Sequence, residues 1–435
     1  MSMINAIKGT RDFLPGEIHK LQHIERTALE TAASFGFYEL RTPVFEYTEL
    51  FCRGVGDTTD VVQKEMYTFN DKGDRSVTLR PEGTAGAVRA FLEHGLFNEP
   101  LPQKLSYLTS CYRYEKPQSG RWREFHQFGV EALGSASHYQ DAEVIMLACA
   151  FFDALCLGDL QLEINSIGCP ECRKKYLNAL SVYFEGCKGD LCETCLGRLE
   201  RNPMRILDCK SPVCSSLAAN APVVLDYLCE ECGAHFEGLR QLLDAADIPY
   251  IVNPHIVRGL DYYTKTVFEF VSQNEKTKGL VCGGGGRYDG LVEELGGSPL
   301  PACGFGLGLE RILLAMEESD APFPQKPVSD LALVSAGDAA QKKAFLIADE
   351  LRRDGFSVVI DTMQRSVKAQ MKYAGKCNVR YTAVIGDNEL ESNTVRLKNM
   401  QSSLEQTVTI SDFASDFENA LISDSLDGIC DAELN

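Results

Sequence analysis

The stretch from Cys111 to Glu131 constrains the fold more than any other part of the chain. Its sequence, CYRYEKPQSGRWREFHQFGVE, contains two runs in which apolar and polar residues alternate. A period of two residues predicts a β-strand with one buried face, and the Pro-Gln-Ser-Gly segment between the runs predicts a turn. Residues 112–115 and 121–128 are therefore predicted to form a hairpin with a basic tip. Arg113 and Glu115 would project from the same face of the first strand, because they lie two residues apart.

An arginine beside a carboxylate on one strand face has two interpretations. The hairpin can be an ordinary surface element with alternating charges. Alternatively, the guanidinium can bind a phosphate, which its planar fork of donors contacts at two points. The hairpin by itself leaves both interpretations open.

Composition is typical of a soluble globular enzyme. The length of 435 residues predicts about two to four domains, and 44% hydrophobic with 24% charged residues is ordinary. The sequence has no apolar run of the roughly 18 residues that a membrane span needs, and its N-terminus lacks a secretory core. We therefore expect a cytoplasmic protein with no membrane partner. Its net charge of −19 requires any contact with nucleic acid to use a local basic patch.

Nine of the 17 cysteines fall between Cys169 and Cys232, and six of the nine form three Cys-x-x-Cys pairs. Two such pairs can supply the four thiolates of a structural zinc site. The predicted ligands are Cys192, Cys195, Cys229 and Cys232. Spacing does not establish which pairs come together, and the cysteines can instead be reduced thiols that pack as small apolar side chains.

A proline-containing segment, 321–329, predicts a linker. Beyond it, predicted strands alternate with helices over 330–425, which indicates a small α/β domain with a mixed sheet, and 426–435 is predicted to be an acidic tail. Lys368 and Lys372 belong to a series of cations that recur every four residues on one predicted helix. This series is either a solvated basic face or a patch that contacts nucleic acid.

Three motifs resemble those of a known family. Arg113-x-Glu115, followed by Arg121 and Phe125, resembles motif 2 of the class II aminoacyl-tRNA synthetases. GFGLGLER, at 304–311, resembles their motif 3, and RGLDYY, at 258–263, is similar to a signature of the histidyl-tRNA synthetases. A predicted helix over 17–35 and a predicted strand over 37–46 resemble motif 1, the dimer interface of the class.

The resemblance implies an α/β (α+β) fold. A class II catalytic domain with an antiparallel sheet would occupy 1–320, interrupted by a cysteine-rich, mostly helical insertion at 166–250. The domain at 330–425 would be an α/β anticodon-binding domain with a mixed sheet.

The implied activity is that of a ligase. It would activate L-histidine with ATP to histidyl-adenylate and transfer the histidine to the 3′ end of histidine tRNA, as a homodimer with Mg2+ and with structural Zn2+ as a further possibility. The alternative is a non-catalytic paralogue that acts as a histidine-sensing regulatory subunit or as an RNA-binding module. Such a protein would not need an intact ATP site.

The resemblance also implies roles for individual residues. The catalytic arginines would be Arg113 and Arg258. Histidine would be bound by Glu82, Thr84, Gln127, Glu131, Tyr262 and Tyr263. ATP would be bound by Arg113, Glu115, Arg121, Phe125 and Arg311. The tRNA would be contacted by Lys116, Gln118, Lys368 and Lys372. From the residues alone, Glu82 can equally be an acid that stabilises the start of a helix.

Overall fold

The computed structural model describes residues 3–56, 59–207, 209, 211–256 and 260–432, with side chains up to Ile422. It divides into two compact units, Met1–Pro324 and Gln325–Asn435.

The first unit is built on an eight-stranded sheet in the order β1-β5-β6-β11-β10-β9-β7-β8. The strands of this unit are β1 (Tyr38–Glu39), β2 (Phe45–Tyr47), β3 (Tyr67–Asn70), β4 (Ser76–Leu79), β5 (Gln103–Tyr112), β6 (Glu124–Leu133), β7 (Leu160–Ser166), β8 (Tyr250–Val252), β9 (Thr264–Ser272), β10 (Val281–Arg287) and β11 (Ala302–Gly308). Neighbours from β5 to β7 pair antiparallel, and only the two edge strands, β1 and β8, pair parallel. The predicted antiparallel catalytic sheet is confirmed.

The hairpin is formed by β5 and β6, which pair from Gln103 opposite Leu133 to Tyr112 opposite Glu124. The predicted strand bounds, 112–115 and 121–128, are wrong, because β5 already ends at Tyr112, β6 begins only at Glu124, and residues 113–123 lie in the connection rather than in the ladder. The two ends of this connection are still joined by a backbone hydrogen bond, in which the Arg113 N–H donates to the Arg123 carbonyl at 2.8 Å.

The helices of the first unit cover the sheet and build the insertion. They are α1 (Ile18–Ser34), α2 (Thr48–Val55), α3 (Thr84–Glu93), α4 (His138–Ala154), α5 (Pro170–Gly186), α6 (Glu193–Arg201), α7 (Pro212–Ala218), α8 (Glu230–Ala245), α9 (Leu291–Glu294) and α10 (Leu309–Glu318). Leu21, Ile24 and Ala28 of α1 are buried at the predicted helical spacing. Phe128 of β6 contacts Phe151 and Phe305 edge to face at the centre of the core.

The strand predicted over 37–46 is wrong as a single element. Residues Tyr38–Glu39 join the edge of the large sheet, whereas Phe45–Tyr47 belong to a separate three-stranded sheet in the order β2-β4-β3. The chain changes sheets between them, around Pro43, which cannot donate a ladder hydrogen bond.

The insertion contains α5 to α8 and has its own buried cluster, which includes Tyr176, Leu180, Phe184 and Ile206. It is joined to the large sheet by a buried network. There, Asp141 of α4 accepts hydrogen bonds from Arg287 of β10 and His235 of α8. The two basic side chains hold the pKa of Asp141 below its usual value, against the effect of burial.

The second unit has a five-stranded mixed sheet in the order β13-β12-β14-β15-β16. Its elements are β12 (Leu331–Ser335), α11 (Asp338–Arg353), β13 (Val358–Ile360), α12 (Val367–Lys376), β14 (Tyr381–Ile385), α13 (Asp387–Ser392), β15 (Thr394–Asn399), β16 (Glu405–Thr409) and α14 (Phe413–Ala432). The predicted mixed sheet is confirmed. Helix α14 runs through most of the predicted acidic tail, whose residues 433–435 lie outside the described part of the chain.

Candidate active site

Arg113 lies at the end of β5, where the hairpin opens into its loop. Its Nε donates to the Pro81 carbonyl at 2.8 Å, and its guanidinium lies 5.4 Å from the centre of the Phe125 ring. No described residue accepts a hydrogen bond from its terminal nitrogens. The side chain is therefore fixed through Nε while two donor groups stay available.

A cleft, here called the arginine cleft, opens beside this guanidinium. Its lining includes Arg113, Glu115, Arg121, Phe125, Gln127, Glu310 and Arg311. The sequence prediction that Arg113, Arg121 and Arg311 share one site agrees with this geometry. Arg113 and Arg121 lie at the two ends of the connection between β5 and β6, and Arg311 lies in α10, so the tertiary fold is needed to bring Arg311 to the other two.

Arg311 is held by two backbone carbonyls. Its Nε donates to Gly120 at 3.2 Å and its Nη1 to Val281 at 2.7 Å. Burial lowers the pKa of Arg311, and repulsion from the guanidinium groups of Arg121 and Arg113 lowers it further. Because like charges are held together away from water, the cleft favours an anionic ligand.

The hairpin loop places the remaining motif 2 residues. Glu115 accepts a hydrogen bond from Arg121 at 3.2 Å, so these two side chains form an ion pair at the cleft. Lys116 and Gln118 are exposed at the loop tip and do not line the cleft.

A second cavity, here called the tyrosine cavity, lies next to the arginine cleft. It is lined by Val61, Glu82, Thr84, Arg113, Gln127, Leu260, Tyr262, Tyr263, Gly284 and Gly306. Five of the six residues predicted to bind histidine are in this lining. Arg113, Gln127 and Gly306 line both cavities, so the two spaces meet at these residues.

Glu82 is buried at the start of α3, where its two carboxylate oxygens accept the backbone N–H groups of Thr84 and Ala85 at 2.8 and 2.9 Å. Burial raises the pKa of Glu82, and these hydrogen bonds partly offset the increase. Glu82 therefore does not lie in the first turn of α3 but caps its start from two residues before it, and the same carboxylate also lines the tyrosine cavity.

Glu131, the sixth predicted histidine residue, lies on β6 and is completely buried. Its carboxylate accepts hydrogen bonds from the hydroxyl groups of Tyr107, at 2.9 Å, and Tyr288. Burial raises the pKa of Glu131 to about 8, although these hydrogen bonds favour the ionised form.

Sequence reasoning missed both of the tyrosines that bind Glu131. Tyr288 lies two residues after the four glycines of β10, which was a usable signal, whereas Tyr107 lies in a strand with no distinguishing motif.

The raised pKa of Glu131 predicts a pH-dependent contribution to stability. A carboxyl group whose pKa is higher in the folded state stabilises the fold when protonated, and this contribution is lost as the pH rises toward 8. The stability advantage of the wild type over Glu131→Gln should therefore fall by several kcal/mol between pH 5 and pH 9. Thermal unfolding of the two proteins at several pH values measures the difference. An advantage that stays constant over this range would contradict the prediction.

The predicted zinc ligands do not form one site. Cys192 and Cys195 lie with Cys209 and Cys214, whereas Cys229 and Cys232 lie with Cys169 and Cys172. The predicted set was wrong because each Cys-x-x-Cys pair meets cysteines that are distant in sequence, and no spacing rule specifies those partners.

The remaining predicted residues lie outside these two cavities or outside the described part of the chain. Arg258 lies outside the described residues. Lys368 and Lys372 belong to the second unit, where both are exposed on α12. No helix within the described residues has the length and apolar content needed to cross a membrane.

An antiparallel sheet with an arginine-bearing hairpin, a glycine-rich strand and an arginine at the start of the following helix defines the catalytic core of a class II aminoacyl-tRNA synthetase. The family model "Histidyl-tRNA synthetase" matches residues 9–171 and 212–312, and the model "Anticodon binding domain" matches residues 330–419. The chain belongs to the histidyl-tRNA synthetase family.

Individual relatives agree with this assignment. The histidine–tRNA ligase of Clostridium novyi is 53% identical over 407 residues, which are 94% of this chain and 97% of the relative. That of Caldanaerobacter subterraneus is 50% identical over 96% of this chain and 100% of the relative. The crystal structure of apo Staphylococcus aureus histidyl-tRNA synthetase superimposes with a TM-score of 0.82 at 39% identity, covering 95% of this chain and 100% of that one.

These similarities extend over nearly the whole chain. The chain is therefore a ligase that charges tRNA with histidine, and the non-catalytic alternatives are not favoured. The predicted family, fold class and enzymatic activity are confirmed.

Proposed function

We propose that histidine binds in the tyrosine cavity and ATP in the arginine cleft. The observation that supports this most directly is the common wall of Arg113, Gln127 and Gly306. A carboxylate in one cavity and the α-phosphate of a nucleotide in the other would meet at this wall. Such positioning supplies much of the rate enhancement when two substrates react with each other.

In the first step, a carboxylate oxygen of histidine attacks the α-phosphorus, and the bond from that phosphorus to the bridging oxygen breaks to release pyrophosphate. Arg113, with Nε fixed on Pro81, stabilises the charge that develops on the α-phosphate oxygens. Arg258 would approach the same phosphate from another side. In the second step, the terminal ribose hydroxyl of tRNA attacks the activated carbonyl and expels AMP.

Arg121 and Arg311 would bind the outer phosphates of ATP. The clustering of their positive charges supports this role, because a triphosphate would relieve their mutual repulsion. Phe125 would stack on the adenine, and Glu115 would accept hydrogen bonds from it at the inner side of the loop. The ion pair between Glu115 and Arg121 would orient both side chains before ATP binds.

Glu82, Thr84 and Gln127 would bind the α-amino group of histidine. The Gln127 carbonyl oxygen accepts the Gly83 N–H at 3.0 Å, which fixes the side-chain amide. Glu131, with Tyr262 and Tyr263, would pair with the imidazole nitrogens. A buried polar site rejects an isosteric amino acid strongly, because its groups are then left without partners.

Mg2+ would neutralise part of the charge on ATP. Glu124 would supply a carboxylate for it, because Glu124 lines a cavity that adjoins the arginine cleft through Glu310. Glu310 itself already accepts the backbone N–H of His126 with its carboxylate. Mg2+ in nucleotide sites needs only one or two protein carboxylates, because phosphates and water complete its coordination.

The tRNA would be contacted at two places. Lys116 and Gln118, exposed at the hairpin tip, would approach the acceptor end. Lys368 and Lys372 would contact the anticodon arm from the domain at 330–425, where a basic helix face supplies the local patch that this acidic chain requires.

We also propose that the chain forms a homodimer through the region that resembles motif 1. The three-stranded sheet leaves large apolar side chains exposed, with Phe45 58%, Tyr47 59% and Phe69 48% accessible. Several large apolar side chains exposed on one small sheet are typical of a surface that another chain covers.

Glu82→Gln tests the histidine site. The variant keeps one acceptor at the start of α3 but loses the charge that would attract the α-amino group. In histidine-dependent exchange of pyrophosphate into ATP, we expect the KM for histidine to rise at least about tenfold while the KM for ATP is unchanged. If Glu82 only caps the helix, the variant would lose about 1 kcal/mol of stability without a change in the KM for histidine.

A further inference from the structure

Eight cysteines of the insertion lie in two clusters that resemble tetrathiolate metal sites. The neck cluster consists of Cys169, Cys172, Cys229 and Cys232, and the distal cluster consists of Cys192, Cys195, Cys209 and Cys214. Within each cluster the four sulfur atoms lie within 4.8 Å of one another. All eight are free thiols, with no disulfide among them.

The sulfur separations fit a single small ion. A tetrahedral zinc site with Zn–S bonds of about 2.3 Å requires its sulfurs to be about 3.8 Å apart. The Sγ atoms of Cys169 and Cys172 are 3.6 Å apart, and those of Cys192 and Cys209 are 3.9 Å apart. A four-iron cluster would hold the sulfurs farther apart, because the cluster itself occupies the centre.

The backbone around the clusters presents helix N-termini and N–H groups to the sulfur atoms, which suits the negative charge of metal-bound sulfur. Cys169, Cys192 and Cys229 each precede the first residue of a helix, namely α5, α6 and α8. The positive end of a helix stabilises a thiolate. Backbone N–H groups also point at sulfur, from Cys229 to the Sγ of Cys172 at 3.0 Å and from Cys192 to the Sγ of Cys214 at 3.3 Å.

A metal cross-link would also stabilise the short helices in the distal part of the insertion. Helices α6 and α7 have nine and seven residues, which is too short for either to be stable by itself. Metal binding that ties such segments together contributes directly to the free energy of folding.

We propose that each cluster binds one Zn2+, and that the two ions together position the segment Leu260–Tyr263 beside the tyrosine cavity. The second part rests on the proposed histidine site. The number of zinc ions per chain does not depend on that site, because it follows from the cysteine geometry alone.

The link from the neck cluster to this segment is Arg173, which follows the ligand Cys172 in the first turns of α5. Its Nη1 donates to the carbonyl oxygen of Asp261 at 3.4 Å, and its Nη2 donates to the carbonyl oxygen of Tyr263. An ion in the neck cluster would fix the start of α5 and therefore the position of this arginine.

The link from the distal cluster is Arg205, which lies between the ligands Cys195 and Cys209. Its Nη2 donates to Oδ1 of Asp261 at 2.9 Å, and only 16% of its side chain is exposed. Two metal-held parts of the insertion therefore contact one short segment, whose Tyr262 and Tyr263 line the tyrosine cavity.

Metal analysis of the purified full-length protein tests the stoichiometry. We expect two zinc ions per chain in the wild type and one in each of Cys169→Ser and Cys209→Ser. Cys187→Ser is the matched control, because Cys187 lies in the same insertion outside both clusters, and it should retain two. One zinc ion, none, or iron in the wild type would overturn the proposal, as would a Cys209→Ser protein that still holds two.

Cobalt substitution of the wild type provides a test that does not depend on folding of the variants. Replacing both ions by Co2+ should give thiolate-to-cobalt charge-transfer absorption of two tetrathiolate sites per chain. Absorption that corresponds to a single site, or to fewer than four sulfur ligands at each ion, would contradict the assignment.

Arg205→Ala tests the positioning role. It should keep two zinc ions per chain and raise the KM for histidine about tenfold, the expected effect of losing a hydrogen bond between charged groups, while kcat and the KM for ATP change little. Arg201→Ala, an exposed arginine on the same segment, is the matched control. Two zinc ions with an unchanged KM for histidine would remove the positioning role and leave the metal sites in place.

Discussion

Replacing Arg113 by alanine is expected to lower kcat/KM for histidine-dependent pyrophosphate exchange by about 10²- to 10³-fold, the usual effect of losing one preorganised donor to a transition state. Arg113 lines both cavities, so it is the described cation best placed to contact an α-phosphate during attack by a carboxylate. Because the interaction strengthens as the five-coordinate phosphorus forms, most of the loss should appear in kcat rather than in either KM. Steady-state exchange kinetics in which ATP and histidine are each varied up to saturation separate kcat from the two KM values.

Arg113→Lys is the informative companion variant. Lysine retains the positive charge but loses the planar fork and the Nε–H that donates to Pro81. We expect it to recover only part of the lost activity, with the remaining defect again in kcat. If the Arg113→Lys protein is fully active, a positive charge at position 113 is sufficient, and neither the planar guanidinium nor its hydrogen bond to Pro81 is required. If the alanine protein is fully active, Arg113 has no role in the reaction.

Gly306→Ala is expected to raise the KM for histidine by about 10²-fold or more and to lower the rate of adenylate formation. A Cβ at this position would lie 2.2 Å from the side-chain nitrogen of Gln127, which is far inside contact distance. Gln127 would have to move, and it is itself fixed by the hydrogen bond from the Gly83 N–H. A displacement of about 1 Å in a positioning group can cost a factor of 10² in rate.

Gly308→Ala is the matched control on the same strand. Its nearest contact would be the Arg311 side chain at 3.8 Å, which is ordinary van der Waals distance. We expect this variant to retain most of its activity and its affinity for histidine. Equal losses in the two variants would indicate a general effect of alanine on β11 rather than a specific one on Gln127. Far-ultraviolet circular dichroism of both proteins checks that the sheet is intact.

The hairpin shows how much the sequence predicted correctly. Its alternating pattern predicted a hairpin with a turn between the strands, and β5 and β6 do form a hairpin, but the predicted first strand, 112–115, overlaps β5 only at Tyr112. The resemblance of its residues to motif 2 predicted Arg113, Arg121 and Phe125 at one site, and all three line the arginine cleft. The predicted strand ends were wrong, since residues 113–115 and 121–123 alternate as in a strand but lie in the connection. Their backbone bonds instead to other parts of the chain, as when the Tyr114 N–H donates to the Glu65 carbonyl at 2.7 Å.

The buried hydrogen-bonded group around Glu131 was predicted only in part. Glu131 was identified through the family resemblance, but its partners Tyr107 and Tyr288 were not. These tyrosines come from different strands, β5 and the segment after β10, and meet at Glu131 because β6 and β11 lie between those strands in the sheet. A contact of this kind depends on strand order, which a local pattern does not encode.

The sequence by itself determined the family, the antiparallel sheet, the mixed C-terminal sheet and the types of residue at the site, because these follow from local periodicity and from short motifs. Only the tertiary structure decided which distant groups share a space. It brought Arg311 of α10 to the same cleft as Arg113 and Arg121 of the hairpin connection, and it divided the cysteines of the insertion between two clusters. The physical reason is that a cysteine or an arginine offers the same chemistry to any partner within reach. Packing of the sheet and helices fixes which partners are within reach.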